Sequence, residues 1–225
     1  MCRLLMKWEC PLKIMENGFR GVTTLKEVTI PGNVLSVGDS AFSYCINVEK
    51  LTVCVGVAKL GDTAFGDNQS LKTLILPDTL TALGDNVFAW CYALEEVTIP
   101  GSVLHMDSGA FGSCNQLKTV TFEGHAPTIG SNAFSGIYHT VTGRYPDKDD
   151  TWTAEVLNAS YGANITINWV PYDKSVVDND AFHIIAQGTL GTSTTWSVAK
   201  NGVLTISGAG DMPLVKSGYD APWYD

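Results

Sequence analysis

The sequence has few basic residues and no long apolar segment. Fourteen Lys and Arg against twenty-three Asp and Glu give a net charge of −9, which has the wrong sign for binding to nucleic-acid phosphates. No apolar run approaches the roughly 18 to 20 residues that a transmembrane helix needs. We therefore expect no nucleic-acid partner and no membrane insertion within this segment.

The motifs of common catalytic and metal sites are also missing. The four histidines share no metal-ligand spacing: His105, His125, His139 and His183. The chain has no HExxH, GxSxG, P-loop or complete GxGxxG motif. Asp147, Asp149 and Asp150 lack the alternating pattern and terminal Glu of an EF-hand, which favours a solvated turn. The sequence predicts no catalytic residue, metal site or cofactor, and so a protein that is not an enzyme.

An internal repeat of 23 residues dominates the chain instead. Five copies follow one another without insertions, beginning at Leu25, Val48, Leu71, Leu94 and Leu117. Residues 2–24 fit the same register weakly, with Leu5, Ile14 and Phe19 in the expected columns. Such a period is typical of a solenoid, in which each unit buries its apolar side against its neighbours.

Each unit predicts a strand, a turn, a second short extended piece and a helical turn. The first strand is apolar at alternate positions, as in Val28 and Ile30, which indicates one core-facing side. A Gly followed by Asp or Ser, as in Gly38 and Asp39, is typical of a helix N-cap. The helical turn should then contribute an internal ladder of phenylalanines: Phe42, Phe65, Phe88, Phe111 and Phe134.

The consensus L-x-x-V-x-I-P-x-x-V-x-x-(I/V)-G-x-x-A-F-x-x-C resembles the repeat of the BspA-like leucine-rich-repeat cell-surface proteins over residues 25–139. Departures are Asp107 in place of the Gly, Asn68 and Ile137 in place of the Cys, and Val48 in place of the leading Leu. The resemblance implies an extracellular or cell-surface location and adhesion to extracellular or host proteins or glycans. The first ten residues form a poor secretory signal, as expected for a segment of a longer protein.

The predicted fold is a leucine-rich-repeat solenoid, strand-rich with short helical turns, followed by a C-terminal cap and a small β-hairpin module. We assign residues 1–139 to the solenoid, with 1–24 as a degenerate or truncated first unit. Residues 140–170 should form its cap and residues 171–182 a linker. Residues 183–225 resemble the N-terminal cap of a further repeat region.

Two local patterns support the last assignments. A helix-like stretch at 151–159 with Trp152 and a closing strand at 165–170 with Trp169 would cover the open apolar end that a solenoid leaves. Asn201-Gly202 lies between two strand-like runs, which indicates a hairpin.

Cys45, Cys91 and Cys114 occupy one column of the repeat. Neighbouring units would bring Cys91 and Cys114 to a separation compatible with a disulfide. An Asn or Ile fills the same column elsewhere, which favours buried, reduced thiols acting as small apolar side chains. The pattern assigns no role to Cys2, Cys10 and Cys54.

A ligand should bind the outward side of the first strands, because stacked units expose an extended sheet there. The outward positions are Glu27, Thr29, Lys50, Thr52, Thr73, Ile75, Glu96, Thr98, Thr119 and Thr121. Threonine is also favoured on any exposed strand. Two interpretations remain: a ligand-binding face, or a structural spacer or stalk of a larger surface protein with no ligand of its own.

Overall fold

A computed structural model describes residues 12–174, together with the backbone of three strands at 184–190, 194–199 and 204–208. Several sequence expectations lie outside the described residues: those on residues 1–11 with Cys2, Leu5 and Cys10, on 175–183, and on the Asn201-Gly202 turn.

Short strands recur through the repeats. They are β1 (Leu12–Ile14), β2 (Glu27–Ile30), β3 (Val34–Val37), β4 (Lys50–Val53), β5 (Lys59–Leu60), β6 (Thr73–Ile75), β7 (Ala82–Leu83), β8 (Glu96–Ile99), β9 (His105–Met106), β10 (Thr119–Phe122), β11 (Thr128–Ile129) and β12 (Thr140–Pro146). The chain continues with α1 (Ala154–Asn158) and β13 (Thr166–Tyr172).

The strands of successive repeats stack in parallel, and each residue pairs with the residue at the same position of the next repeat. The second strands form one six-stranded sheet in the order β1-β3-β5-β7-β9-β11, while the first strands form two sheets, β2-β4-β6 and β8-β10-β12-β13. Val28, for example, pairs with Leu51, and Leu51 with Leu74. The predicted solenoid is therefore confirmed. We call each unit a rung and number the rungs by their phenylalanines, from rung 1 with Phe19 to rung 6 with Phe134.

The predicted phenylalanine ladder forms the spine of the core. Adjacent rings lie nearly parallel with centroids 4.8 to 5.9 Å apart, from Phe19 on Phe42 to Phe111 on Phe134. Phe88 and Phe111 are fully buried. Because each ring packs against the rungs above and below, the ladder ties neighbouring repeats together.

The turn segments differ from the predicted helical turn. Ala41 N donates to Gly38 O within its rung at 3.2 Å, whereas Phe42 N donates to Ala64 O of the next rung at 2.8 Å. The first bond is that of a short helical turn, but the second leaves the rung. Positive φ angles at Ser40 and Tyr44 interrupt the helical conformation, so that alternate amides reach the adjacent rung.

The N-cap prediction for Asp39 is consequently wrong. Asp39 Oδ1 accepts a hydrogen bond from the backbone N–H of Asp62, one rung on, at 3.0 Å, and Asp62 Oδ1 accepts from Asp85 N at 3.1 Å. The side chain satisfies an amide of the next rung, because the turn offers no helix N-terminus of its own. The aspartates thus form a further link between rungs.

Residues after rung 6 pack on the end of the solenoid. Thr153 caps α1, with Oγ1 accepting from Val156 N at 3.4 Å. Trp152 is buried, its ring centroid lies 4.9 Å from that of Phe122, and its Nε1–H donates to Gly124 O at 3.0 Å. The helix is shorter than predicted. These contacts are those expected of a terminal cap, which stays a prediction.

The chain divides into two compact units, residues 1–172 and 173–225. In the second unit β14 (Ile184–Leu190), β15 (Thr194–Ala199) and β16 (Leu204–Gly208) form an antiparallel sheet in that order. Its assignment as the cap of a further repeat region stays a prediction.

Candidate ligand-binding face

The ten predicted positions all lie on the outward side of the first strands. They fall into two columns, and strand pairing aligns the members of each column within a sheet. The first column consists of Glu27, Lys50 and Thr73 in one sheet and Glu96 and Thr119 in the other. The second consists of Thr29, Thr52 and Ile75 in one sheet and Thr98 and Thr121 in the other. Seven are exposed, and Thr52, Thr119 and Thr121 are half-buried. We call this surface the strand face.

A column of alternating charge runs beside the strand face, one residue before each strand. Its members are Lys26, Glu49, Lys72, Glu95 and Lys118. Lys72 Nζ lies 3.3 Å from Glu49 Oε2, and Lys118 Nζ lies 2.6 Å from Glu95 Oε2. Because both pairs are more than half exposed, each should contribute at most about 1 kcal/mol to stability. Sequence reasoning missed this column, although the change of sign at the repeat spacing was visible.

The strand face is interrupted between β6 and β8, which belong to different sheets. Separately, an open groove of about 540 Å³ lies at the starts of β8 and β10, and its lining includes Glu95, Glu96, Gln116, Lys118 and Thr119, together with Lys72 just before β6. Of the predicted positions, Glu96 and Thr119 line this groove, and the other eight lie outside its lining. The groove brings together both signs of charge with an uncharged amide and hydroxyl.

The cysteine column is inert. Cys45, Cys91 and Cys114 are free and buried, and each thiol lies within 3.5 Å of a carbonyl oxygen one rung back, as Cys114 Sγ does on Phe88 O at 3.2 Å. Burial raises the pKa of Cys114 to about 12 and that of Cys91 well above its usual value. Such thiols are poor nucleophiles, and the preferred interpretation as reduced core residues is confirmed.

Cys54, which the sequence left unassigned, is disulfide-bonded. No column of the repeat marks it, because rungs 2, 4, 5 and 6 hold Pro or Glu at that position, as in Pro31 and Glu123.

The acidic turn near the cap forms a local network. Asp149 Oδ1 accepts from Thr151 N at 3.0 Å and from Thr151 Oγ1, while Asp149 Oδ2 lies 2.9 Å from His125 Nδ1. Burial alone would raise the pKa of Asp149, but the hydrogen bonds from Thr151 and the contact with His125 outweigh it and lower the pKa. Thr151 Oγ1 in turn accepts from Ala126 N at 2.8 Å, so the network fastens the cap segment to the last rungs.

Metal-ligand clusters and bilayer-spanning helices do not occur among the described residues. Within 12–174 and the three further strands, no three His, Cys, Asp or Glu side chains converge as metal ligands would. The same residues include no helix that is long and apolar enough to span a bilayer.

Comparison with known proteins identifies the repeat. Residues 12–140, more than half of the chain, match the BspA type leucine rich repeat region in six copies. A comparison with curated proteins gave no match.

Three solved structures are similar in part. A leucine rich repeat protein of T. pallidum is 25% identical with a TM-score of 0.49, the similarity covering 59% of this chain and 67% of that one. A leucine rich cell surface protein of Faecalibacterium prausnitzii A2-165 is 22% identical with a TM-score of 0.42, covering 64% of this chain and 32% of that one. A leucine-rich repeat protein of Bacteroides ovatus is 17% identical with a TM-score of 0.25, covering 70% and 66%.

Because six copies of this family's repeat match residues 12–140, and this region consists of stacked parallel strands, the chain belongs to the BspA-type leucine-rich-repeat family.

Proposed function

We propose that this chain is a binding segment of a bacterial cell-surface protein and that it captures an extracellular protein on the strand face. The observation that carries the proposal is the groove at the starts of β8 and β10, whose lining joins Glu96 of the strand face to Lys72, Glu95 and Lys118 of the charged column beside it. A surface on which lysines and glutamates alternate closely is complementary to the mixed charges of another protein, and less so to a polyanionic ligand. The proposal assigns no catalytic step to the described residues.

A surface location is part of the proposal. It is supported by family membership and by the disulfide of Cys54, since disulfides persist in oxidising compartments. Labelling of intact cells with an antibody against the repeats should give a signal without permeabilisation. A signal that appears only after permeabilisation would contradict the location.

Binding is tested by reversing charges on the strand face while keeping the net charge. The variant Lys50→Glu with Glu96→Lys should attach more weakly to immobilised extracellular-matrix proteins, because it inverts the local potential. Both side chains are exposed, so the melting temperature should change little.

The matched control is Lys59→Glu with Asp78→Lys. Lys59 lies in β5 of the six-stranded sheet and Asp78 in the turn between β6 and β7, and both are exposed and outside the strand face. Attachment that both variants reduce equally would indicate a nonspecific charge effect. Attachment that neither variant reduces would favour the spacer interpretation.

A further inference from the structure

Aromatic side chains project into solvent from one edge of the solenoid, at the end of the turn segment. Tyr44 is 47% exposed, Trp90 38%, Tyr92 39% and Tyr138 74%. We call these four residues the aromatic edge. It shares no residue with the strand face, and the inference drawn from it does not rest on protein capture there.

The aromatic residues occupy alternate rungs. Tyr44 belongs to rung 2, Trp90 and Tyr92 to rung 4, and Tyr138 to rung 6. Tyr44 and Trp90 share one position of the repeat, and Tyr92 and Tyr138 share the position two residues later. The aromatic groups therefore recur every two rungs.

Polar side chains fill the same two positions in the intervening rungs. Rung 3 has Asp67 and Gln69, and rung 5 has Ser113 and Asn115. Gln69 Nε2 donates to Asp67 Oδ1 at 2.8 Å, which orients this pair. The edge therefore alternates aromatic rings with hydrogen-bonding groups.

The backbone at the aromatic edge is unfavourable for its side chains. Tyr44 and Trp90 both have φ of 60°, in the left-handed region that bulky residues avoid. Asp67, Ser113 and Gly136 occupy the same position in rungs 3, 5 and 6, also with positive φ, at 61°, 57° and 75°. The left-handed conformation therefore belongs to this position of the repeat and does not require an aromatic ring there.

The spacing of the edge suits a flat, β-linked sugar chain. Ring centroids of the ladder are 5.2 and 5.8 Å apart from rung 2 to rung 4, and 5.5 and 5.9 Å apart from rung 4 to rung 6. Groups two rungs apart therefore lie about 10 to 11 Å from each other, the lower value being that of ideal strand spacing. In a β-linked glucose or N-acetylglucosamine polymer successive sugars are rotated, and the same sugar face recurs once per disaccharide, a length close to this spacing. Aromatic rings stack on the C–H faces of sugars, while amides and hydroxyls bond the sugar hydroxyls.

The charge of the edge favours a neutral ligand. Across rungs 2 to 6, Asp67 is the single formally charged residue at the two positions of the edge. The net charge of the chain is −9, which repels a polyanionic glycan. Arg20 adds a cation, but it is stacked on the ring of Tyr44 at 5.1 Å.

We propose that the aromatic edge binds a neutral, β-linked polysaccharide, with one disaccharide for every two rungs. Rungs 2, 4 and 6 then contact three successive disaccharides, so that a hexasaccharide fills the edge. Trp90 and Tyr92, both in the central rung, are the principal contacts.

The experiment is calorimetric titration of the full chain with cellohexaose and with chitohexaose, and then with the corresponding disaccharides. At least one hexasaccharide should bind, about tenfold or more tightly than its disaccharide. The substitutions Trp90→Asn and Tyr92→Asn should each weaken binding by about tenfold or more. Asn tolerates a left-handed φ, so Trp90→Asn should stay folded, which is checked by its circular dichroism and melting temperature.

The matched control is Leu104→Asn, which removes an exposed apolar side chain (53% exposed) outside the two positions of the edge. Hexasaccharide binding that is lost in Trp90→Asn and retained in Leu104→Asn supports the proposal. Failure of both hexasaccharides to bind overturns it, as does equal binding of the coiled, α-linked maltohexaose. Binding that depends on Glu96 but not on Trp90 also overturns it and leaves the strand face as the site.

Discussion

Removal of one ring from the middle of the phenylalanine ladder is the sharpest test of how the repeats hold together. Phe88 is fully buried, and its ring lies 5.8 Å from that of Phe65 and 5.5 Å from that of Phe111. Phe88→Ala creates a cavity shared by three rungs and should lower the free energy of unfolding by about 3–5 kcal/mol. That is a large fraction of the roughly 5–15 kcal/mol typical of a folded domain.

The same substitution at the end of the ladder is the matched control. Phe19 is 45% exposed and stacks on Phe42 at 4.8 Å, so Phe19→Ala should cost about half as much or less, since less apolar surface is lost. Phe88→Leu retains much of the volume but loses both ring stacks, at about 1–3 kcal/mol. Urea unfolding followed by circular dichroism measures all three, and equal midpoints for Phe88→Ala and Phe19→Ala would refute the assignment of the ladder as a shared core.

Three further predictions concern titration and the cap. Burial raises the pKa of Cys114 from 9.0 to about 12, so the thiol of the unfolded chain ionises at a lower pH than that of the folded chain. The free energy of unfolding should therefore fall by about 1.4 kcal/mol per pH unit between these two pKa values and be unaffected at lower pH. A Cys114→Ala variant whose stability falls equally steeply at alkaline pH would contradict this. Thr151→Val removes the hydroxyl that donates a hydrogen bond to Asp149, so the pKa of Asp149 should rise. On acidification, the variant should then lose the stabilisation that ionised Asp149 provides at a higher pH than the unmodified protein does. An unchanged titration of the Asp149 carboxyl by NMR would contradict the network. Trp152→Ala should lower stability by about 3–5 kcal/mol, while Trp152→Phe, which loses mainly the bond to Gly124 O, should cost closer to about 1 kcal/mol; thermal melts that do not separate the two variants would argue against a packed cap.

Much of the interior was predictable from the repeat. Val28, Leu51 and Leu74 pair across neighbouring strands because residues 23 positions apart must stack when every unit has the same length. The outward positions follow from the two-residue period of a strand, which is why Glu27 and Lys50 could be located on the strand face. The reduced state of Cys91 was also inferable, since its column accepts Asn and Ile.

The turn segment was harder to predict. Gly38-Asp39 has the local pattern of a helix start. The Asp39 carboxylate instead accepts a hydrogen bond from the backbone N–H of Asp62 in the next rung, because that amide needs an acceptor. Local propensity describes a segment in isolation, whereas here the competing partner comes from a residue 23 positions away. Tyr44 and Trp90 in the left-handed region have the same origin, because their amides donate to Gly66 and Gly112 of adjacent rungs.

The period, the inward columns and the exposed side of the first strands could all be inferred from the sequence alone, because they follow from which side chains recur at each position. The division of the first strands into two sheets between β6 and β8 and the groove at the starts of β8 and β10 are visible only in the tertiary structure. The tertiary structure also decided which charges pair, as Lys118 does with Glu95, and which aromatic rings reach solvent. These features depend on backbone angles and on hydrogen bonds between rungs. An aligned repeat sequence specifies which residues are neighbours but not the geometry of their contact.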